Sequence, residues 1–242
     1  MRGQKDWFAK LYRSSETNII PNEELKHAAS IMTDEQFNQE FECSFTAAVS
    51  GAYYGKLITK ADNEKRIGTV ECDDNAGVET WWDLGIGDST AIWFAQRVGS
   101  EIHIIDYYEN SGESLAHYAD VLLEKDYAYE RHIAPHDIQA RELGTGKSRL
   151  EVANELGIDF EVAPKLEVDH GIECVRNTLP NCWFDREKCK LGLDALRQYR
   201  KQWDDKNQVF KNKPLHDWCS HAADAFRYGC VHDPVDTTQW TK

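Results

Sequence analysis

Long apolar segments are absent from this sequence of 242 residues. No uninterrupted apolar run approaches the ~20 residues that a membrane-spanning helix requires, and residues 1–7 contain no apolar segment of the signal-peptide type. We therefore expect a protein that is not secreted, has no membrane partner and works in the cytoplasm. Hydrophobic residues still make up 41% of the chain, and eight residues are tryptophan, which predicts a folded domain with a sizeable core.

Paired metal-binding cysteines are also absent. The seven cysteines are scattered along the chain, no Cys-x-x-Cys sequence occurs, and a close pairing such as that of Cys219 with His221 offers only two ligands. Two ligands are too few for a structural zinc site. We expect the thiols to be reduced and to pack as small apolar side chains.

Positive charge is in short supply. Twenty-eight Lys and Arg residues face 42 Asp and Glu residues, which gives a net charge of -14. Such a chain would be repelled by the phosphate backbone, which excludes proteins that coat nucleic acid non-specifically. A nuclease is not excluded, because carboxylates that bind divalent cations then attract phosphate. Residues 185–213 are locally basic and are either a solvated helix face or a DNA track in which Arg197 and Lys201 bind phosphate.

The N-terminal part differs from the rest. Polar helical patterns occupy residues 22–32 and 33–40, and strand signals are few. We expect three units: residues 1–67 as an adjoining segment, residues 68–231 as the main domain, and residues 232–242 as a tail.

The main domain has alternating strand and helix patterns. Strands predicted at 79–86, 90–98 and 101–108 form an antiparallel meander. Three helices are predicted next in the chain, at 114–127, 148–156 and 168–179, and they alternate with strands at 131–135, 158–163 and 182–184. A further helix is expected from the stripe of Leu193, Leu196, Tyr199 and Trp203, and a last one at 216–231. This order predicts an α/β protein with a mixed sheet flanked by helices.

Two aspartates surround a glycine turn after the first predicted strand. Asp83 lies in an otherwise apolar strand, and a buried carboxylate costs several kcal/mol, on the order of the penalties for unpaired charges, unless it is paired or binds a metal. Asp83 is therefore either a metal ligand or a strand-end residue that accepts hydrogen bonds from the turn. The turn could fold Asp88 back beside it, although aspartate is also an ordinary turn residue.

Three further acidic or imidazole side chains are candidates. Asp137 follows a short predicted strand, at the sheet edge that ligand sites favour, although taken alone it is better explained as a helix or turn cap. His221 and Asp224 are three residues apart on the last predicted helix, so they share a face and can reach one cation. Asp217 would lie one turn earlier on the same side. The alternative is an exposed polar stripe, against which the small neighbouring alanines argue.

Residues 144–148 look like the end of a phosphate-binding loop, Gly-Thr-Gly-Lys-Ser. The full pattern requires a glycine five residues before Gly146, where this chain has Arg141. We interpret the segment as a flexible loop beside Asp137, where Lys147 and Arg149 could contact a DNA phosphate.

Three segments together resemble the nuclease domain of the large terminase subunit of tailed bacteriophages, over roughly residues 68–230. They are Asp83-Leu84-Gly85 with Asp88, then Pro135-His136-Asp137, then Ser220-His221-Ala222-Ala223-Asp224-Ala225-Phe226-Arg227-Tyr228. The last segment is the most specific of the three. The resemblance implies a ribonuclease H-like fold, which agrees with the predicted meander followed by parallel strands.

Residues 32–41 are similar to the stretch that joins the terminase ATPase to its nuclease. A complete phosphate-binding loop and the acidic strand that follows it in the family are both missing. We therefore expect this chain to be the C-terminal part of a terminase, without an ATPase module of its own.

Carried over residue by residue, the resemblance implies a site with two Mg²⁺ or Mn²⁺ ions. Asp83, Asp137 and Asp224 become the catalytic carboxylates, His221 an additional metal ligand and Asp88 a possible one. One ion would polarise the attacking water and the other would stabilise the leaving 3′ oxygen. Asp83 would bridge both ions.

The activity that the resemblance implies is cleavage of concatemeric double-stranded phage DNA at the initiation and termination of packaging. The implied partners are the terminase ATPase domain, the small terminase subunit and the portal protein, in the cytoplasm of the infected bacterial host. Two alternatives stay open: another ribonuclease H-like nuclease of the junction-resolvase type, and a catalytically silent module that docks on the portal or motor.

Overall fold

The structure, a computed structural model, describes residues 12–17, 19–32, 37, 41, 50–85, 88–141 and 146–234. Apart from residue 37, the helix predicted at 33–40 lies outside these residues, as does most of the predicted tail. Within the described ranges, no helix combines the length and the apolar character needed to cross a bilayer.

A seven-stranded sheet forms the centre of the molecule. Its strands are β1 (Ile67–Gly68), β2 (Val78–Asp83), β3 (Ser89–Val98), β4 (Glu101–Ser111), β5 (Tyr129–Ala134), β6 (Phe160–Val162) and β7 (Cys182–Asp185). Their spatial order is β1-β7-β4-β3-β2-β5-β6. Strands β2, β3 and β4 pair antiparallel, and the other neighbours pair parallel. The predicted mixed sheet, a meander followed by parallel strands, is confirmed.

The helices are α1 (Ser14–Thr17), α2 (Asn22–Ile31), α3 (Gly55–Asn63), α4 (Leu115–Lys125), α5 (Arg149–Glu155), α6 (Val168–Thr178), α7 (Lys190–Gln198) and α8 (Ser220–His232), with short 3₁₀ turns at His136–Gln139 and Leu179–Asn181. Helices α3 to α8 cover the two faces of the sheet, whereas α1 and α2 contain no buried residue. Every helix and strand predicted between residues 114 and 184 is present, with ends that differ by one or two residues.

Neighbouring tryptophans of β2 mark the two halves of the core, because successive side chains in a strand point to opposite faces. Trp81 packs edge-on against Phe226 of α8, with ring centroids 5.2 Å apart. Trp82 packs edge-on against Phe160, also at 5.2 Å. Helices α3, α6, α7 and α8 contribute to the first half, and α4 and α5 to the second. A sheet covered on both faces explains why every residue of β2 before Asp83 is buried.

Helix α8 lies close against β2 and β3. A Cβ atom at Gly229 would lie 2.0 Å from Cδ2 of Trp81, so only glycine fits there. The indole N–H of Trp93 donates to the carbonyl oxygen of Ala222 at 2.8 Å. These contacts fix the height and rotation of α8, and the small residues around His221 permit the close approach, as the sequence predicted.

The helix predicted through Trp203 is wrong beyond residue 198. Helix α7 ends at Gln198, and β8 (Lys201–Asp204) pairs antiparallel with β9 (Val209–Pro214) as a separate two-stranded hairpin. The Asp204 carboxylate accepts hydrogen bonds from the backbone N–H groups of Lys206 and Asn207, each at 3.1 Å, and so forms the turn. The helical stripe was misleading because Trp203 packs across the hairpin on Phe210, at 4.8 Å.

The last helix begins at Ser220, four residues later than predicted. Asp217 precedes it in a turn, where its carboxylate accepts a hydrogen bond from the backbone N–H of Cys219 at 3.0 Å. Asp217 also lies 3.5 Å from Arg200. It is therefore not on the helix face that carries His221, because the segment before Ser220 is not helical.

The N-terminal side of residue 68 takes part in the same packing. Tyr54, Ile58 and Ile67 are buried in the core half that contains α8, and β1 pairs with β7. The packed unit thus includes α3 and β1, whereas the functional division at residue 67 stays a prediction.

Candidate active site

Asp83 and His221 form the centre of the candidate site. Asp83 is the last residue of β2, and its Oδ2 lies 3.0 Å from Nδ1 of His221, in the first turn of α8. The Asp83 side chain is only 18% exposed. Burial raises the pKa of this carboxyl, the hydrogen bond with His221 opposes the rise, and the negative charge of Asp224 adds to it. The pocket therefore favours a positive charge beside Asp83.

The glycine turn after β2 returns Asp88 to the same histidine. A Cβ atom at Gly85 would lie 2.5 Å from the carbonyl oxygen of Ser89, so the turn is tight. Oδ1 of Asp88 lies 3.1 Å from Nε2 of His221. Because both ring nitrogens have carboxylate partners, the pKa of His221 is raised, chiefly by its hydrogen bond with Asp83. Asp88 thus folds back to the histidine that also contacts Asp83, whereas its role as a metal ligand stays a prediction.

His216 joins this group, although sequence reasoning missed it as a ligand. Its Nε2 lies 3.9 Å from Oδ2 of Asp88, and its ring centroid lies 5.8 Å from that of His221. One donor atom from each of Asp88, His216 and His221 lies within 4.8 Å of the other two. Helical spacing could not reveal His216, since it precedes α8; its nearness in sequence to His221 was the available signal.

Asp224 is held by Arg227, three residues later on α8. Nη2 and Nε of Arg227 both donate to its Oδ1, at 2.9 and 3.3 Å. Burial and the negative charge of Asp224 raise the pKa of Tyr199. Asp224 is close enough to Asp83 to raise the pKa of that residue. Asp83, Asp88, His221 and Asp224 are thus brought into one pocket.

Asp137 lies at the same edge of the sheet but is more exposed. It is in the 3₁₀ turn that follows β5, and β5 runs parallel to β2, so both strands end on this side. Its side chain is 58% exposed, and its Oδ2 is 3.8 Å from Nη2 of Arg149. Nη1 of Arg149 donates to the carbonyl oxygen of Leu84 at 2.8 Å. Arg149 therefore connects Asp137 to the residue that follows Asp83.

Glu109 is a further carboxylate that sequence reasoning missed. Asp83 pairs with Ala91, and Ala91 pairs with Glu109, so the three occupy one row on the same face of β2, β3 and β4. Two strand spacings separate the acidic residues, about 10 Å between their Cα atoms. The hydroxyl of Tyr107 donates to Glu109 at 2.5 Å. Period-two alternation along β4 was the signal that could have placed Glu109 beside Asp83.

Solved structures with the same architecture include large terminases. The large terminase of the thermophilic bacteriophage D6E in complex with ATP-gamma-S matches with a TM-score of 0.56 at 17% identity, over 74% of this chain and 45% of that chain. The P22 large terminase nuclease domain matches with a TM-score of 0.54 at 18% identity, over 69% of this chain and 88% of that one. This chain has the fold of the large terminase nuclease domain.

The large terminase nuclease of the thermophilic phage G20c with bound magnesium matches with a TM-score of 0.50 at 15% identity, over 75% of this chain and 98% of that one. The chain therefore spans less than half of the D6E large terminase but most of the two terminase nuclease domains. At these identities the likeness establishes the ribonuclease H-like fold. No protein-family model matches the sequence, and no curated protein does.

The four basic residues considered for DNA binding have different surroundings on this terminase nuclease fold. Arg149 lies beside Asp137, and Lys147 lies 2.5 Å from Glu155. Lys201 lies on the hairpin, 6.0 Å from the ring of Tyr53. The position of Arg197 argues against the predicted binding of a DNA phosphate by this residue.

Arg197 is unsuited to phosphate binding because it is buried. Its side chain is 9% exposed and lies 3.5 Å from Asp62 and 3.2 Å from Asp194. The guanidinium joins α3 to α7 and is already neutralised by two carboxylates. Arg197 was included in the predicted DNA track because residues 185–213 are locally basic. On α7, however, its side chain points towards the protein interior.

Proposed function

We propose that this chain is a metal-dependent DNA endonuclease of a phage packaging terminase, which cuts concatemeric double-stranded viral DNA when packaging begins and ends. The observation that carries the proposal is the buried carboxylate of Asp83, which faces His221 and lies within electrostatic reach of Asp224 at the carboxyl edge of the sheet. Ligand sites of open α/β sheets favour this edge. The relatives of the same fold are nucleases by their names.

The residues present fit divalent metal ions. His221 bonds to Oδ2 of Asp83 and Arg227 to Oδ1 of Asp224, both carboxylates are partly exposed, and each keeps oxygen lone pairs with which it can bind a cation. Carboxylate oxygens are the ligands that Mg²⁺ and Mn²⁺ prefer. We assign Asp83, Asp137 and Asp224 to hold the ions, with His221 and Asp88 as additional ligands. When bound, two such ions lower the pKa of an attacking water and stabilise the leaving 3′ oxygen.

The protein's own residues supply position and charge. Arg227 fixes one oxygen of Asp224, and His221 fixes one oxygen of Asp83, so neither carboxylate has to lose rotational freedom when substrate binds. Close packing of α8 on β2 holds both residues at a constant separation. We assign Arg149, which lies between Asp137 and the backbone of Leu84, to contact a phosphate of the DNA.

The packaging context is part of the proposal. We assign ATP hydrolysis to another part of the motor, because Arg141 replaces the glycine that a complete phosphate-binding loop needs in this chain. The terminase ATPase domain, the small terminase subunit and the portal protein are the proposed partners, in the cytoplasm of the infected bacterium. The chain's surplus of acidic residues, with its net charge of -14, favours reliance on these partners for DNA affinity.

A cleavage assay with two substrates tests the proposal. Linear duplex DNA and a four-way junction of matched length are incubated with the protein in Mg²⁺ or Mn²⁺. A packaging nuclease cuts the linear duplex with weak sequence preference and depends on the metal. Preferential cleavage of the junction would point to a resolvase instead. Metal-independent cleavage, or none in either ion, would reject the proposal.

A further inference from the structure

Two adjacent tyrosines just before α3 carry buried hydroxyl groups. Tyr53 is 7% exposed and Tyr54 is fully buried. Neither hydroxyl oxygen has a hydrogen-bond partner among the residues that the structure describes. Buried polar groups without partners are rare in proteins, because each has left water and gained no hydrogen bond in return. A tyrosine where phenylalanine would pack as well indicates that the hydroxyl has a use outside this state of the protein.

The segment that carries the two tyrosines pairs with the chain that leaves α7. The N–H of Tyr53 donates to the carbonyl oxygen of Tyr199 at 2.9 Å. The N–H of Lys201 donates to the carbonyl oxygen of Gly51 at 3.0 Å. The ring centroid of Tyr199 lies 5.3 Å from that of Tyr53 and 5.7 Å from that of Tyr54, to which the ring is nearly parallel. Backbone pairing and ring packing therefore fix where the two hydroxyls lie.

The Tyr54 hydroxyl lies within electrostatic reach of the candidate site. Burial raises its pKa, and two charged groups of α8 also act on it, since Arg227 lowers the pKa and Asp224 raises it. These two residues form the ion pair in which Nε and Nη2 of Arg227 both donate to Oδ1 of Asp224. Tyr54 precedes residue 68, so this contribution to the surroundings of Asp224 comes from outside the predicted nuclease unit.

Packing holds Arg227 in place along its length. A Cβ atom at Gly171 of α6 would lie 2.6 Å from Cδ of Arg227, and the guanidinium carbon lies 4.7 Å from the centre of the Tyr228 ring. Only 10% of the Arg227 side chain is exposed. A guanidinium held in this way needs acceptors close by, because its N–H groups cannot turn to water. A cation that binds Asp224 competes with Arg227 for the acceptor that it uses.

We propose that Tyr54 is a positioning residue for the metal site, whose hydroxyl oxygen accepts a hydrogen bond from Arg227 when a divalent cation binds Asp224. The cation and the guanidinium are both positive and draw on the same carboxylate. A neutral acceptor nearby lets one N–H group turn from Asp224 without being left unpaired in the interior. The hydroxyl stabilises the metal-bound state and adds nothing to the metal-free state. The inference rests on the proposed function in taking Asp224 as a metal ligand.

Tyr54→Phe tests the inference, and Tyr53→Phe is the matched control. Each substitution removes one buried hydroxyl and keeps the ring that packs on Tyr199. The charged groups that act on the Tyr53 hydroxyl are Asp169 and Arg176, both on α6 and neither a proposed metal ligand. Mn²⁺ binding to the full chain is measured by calorimetry, and the stability of the metal-free protein by urea unfolding.

We expect Tyr54→Phe to weaken Mn²⁺ binding on the order of tenfold, as the loss of a group that supports a metal ligand does. The urea midpoint of the metal-free variant should equal or exceed that of the parent protein, because the lost hydroxyl had no partner there. Tyr53→Phe should bind Mn²⁺ like the parent. An unchanged Mn²⁺ affinity in Tyr54→Phe would overturn the inference, and so would an equal loss in Tyr53→Phe. A lower urea midpoint of metal-free Tyr54→Phe would also overturn it.

Failure of this inference and failure of the proposed function give different results. If the parent protein binds no Mn²⁺, the metal-dependent function falls and takes the inference with it. If the parent binds Mn²⁺ but cuts no DNA, and Tyr54→Phe weakens the binding, the nuclease assignment falls and the inference stands. If Asp224→Asn abolishes cleavage while Tyr54→Phe binds Mn²⁺ like the parent, only the inference falls.

Discussion

Asp83 and His221 are 138 positions apart in the chain, yet their Oδ2 and Nδ1 atoms lie 3.0 Å apart. Asp83 ends a central strand, and His221 lies in the first turn of the last helix. The contact exists because α8 packs directly over β2, with glycine at the closest approach. The distance between Asp83 and His221 therefore depends on how α8 packs against β2.

Loss of either buried carboxylate should abolish cleavage. Asp83→Asn and Asp224→Asn keep the side-chain volume but remove the negative charge that binds a divalent ion. Several kcal/mol of transition-state stabilisation depend on such ions, so we expect the cleavage rate to fall about 10³-fold or more. The rate is measured on linear duplex DNA in Mg²⁺.

Asp120→Asn is the matched control for these two variants, because Asp120 is exposed on α4, on the opposite face of the sheet from α8. It should cut DNA at the parent rate. Parent-like cleavage by both site variants would show that the site has been placed wrongly.

Arg227 is expected to position Asp224 and not to touch DNA. Both of its donor nitrogens bind the same oxygen of Asp224, so Arg227→Ala should raise the Mg²⁺ concentration needed for half-maximal cleavage on the order of 10–100-fold. Removing a buried partner of a carboxylate also costs about 3–5 kcal/mol of stability.

Arg227→Lys provides the comparison for that variant. It keeps the charge but loses the planar fork, so stability should be partly restored while the Mg²⁺ requirement stays raised. An unchanged Mg²⁺ requirement in both variants would mean that Arg227 has a purely structural role.

Divalent ions should stabilise the folded protein, because the carboxylates of the pocket repel one another without them. At a hundred times the dissociation constant, binding contributes about 2.7 kcal/mol, which corresponds to a rise in Tm on the order of 5–10 °C for a domain of this size. The melting temperature is measured with and without Mn²⁺. The shift should be much smaller in Asp83→Asn, and an equal shift there would place ion binding elsewhere.

Gly229→Ala should destabilise the protein and disturb the site. The new methyl group would lie 2.0 Å from a ring carbon of Trp81, a fully buried side chain, so α8 must move. Overpacking of this kind costs about 1–3 kcal/mol. Urea unfolding measures the loss, and cleavage should slow as well. Gly68→Ala is the control, since its added Cβ would meet nothing within 4 Å; equal stabilities would show that α8 is not tightly seated.

Acid should weaken the fold through His132. Burial lowers the pKa of His132 to about 4; in the unfolded chain it is about 6.5. Between these values the unfolded chain binds a proton that the native state does not, so the stability present above pH 6.5 is lost as the pH falls towards 4, by on the order of 3 kcal/mol.

The neighbours of His132 are consistent with the neutral ring. Trp82 donates to Oγ1 of Thr80 at 2.6 Å, and this hydroxyl lies 2.6 Å from Nδ1 of His132, so it can donate to an unprotonated nitrogen. His132→Asn offers an oxygen in place of Nδ1 and does not titrate. Urea unfolding at pH 7.5 and pH 5 should show a smaller loss of stability for this variant than for the parent protein.

Most strands and helices could be predicted because the spacing of apolar residues and the position of turns are visible in the sequence. Period-two alternation and glycine turns identified the meander, and helical spacing identified α4, α5 and α6. The failures occurred where two patterns overlap. Tyr199 and Trp203 continue the stripe of α7 at helical spacing, yet the chain leaves the helix at Gln198 because the Asp204 turn and cross-strand packing favour a hairpin.

The candidate site was predictable in part for the same reason. Asp83, His221 and Asp224 stand in short segments whose spacing is informative. Glu109 and His216 were missed because their nearness to the site arises from strand register and from a turn, which are properties of the assembled sheet. Arg197 was misjudged because local charge along a sequence does not tell which side of a helix faces inward.

The hairpin of β8 and β9 lies outside the seven-stranded sheet, and its base is closed by the backbone N–H of Leu215, which donates to the carbonyl oxygen of Arg200 at 2.9 Å. Residues 205–208 of its turn are exposed, so the turn can lengthen, shorten or change its side chains while the carboxylate site keeps its shape. Evolution can therefore alter this appendage independently of the pocket, and engineering can do the same: a reporter dye or an inserted peptide belongs at residues 204–208.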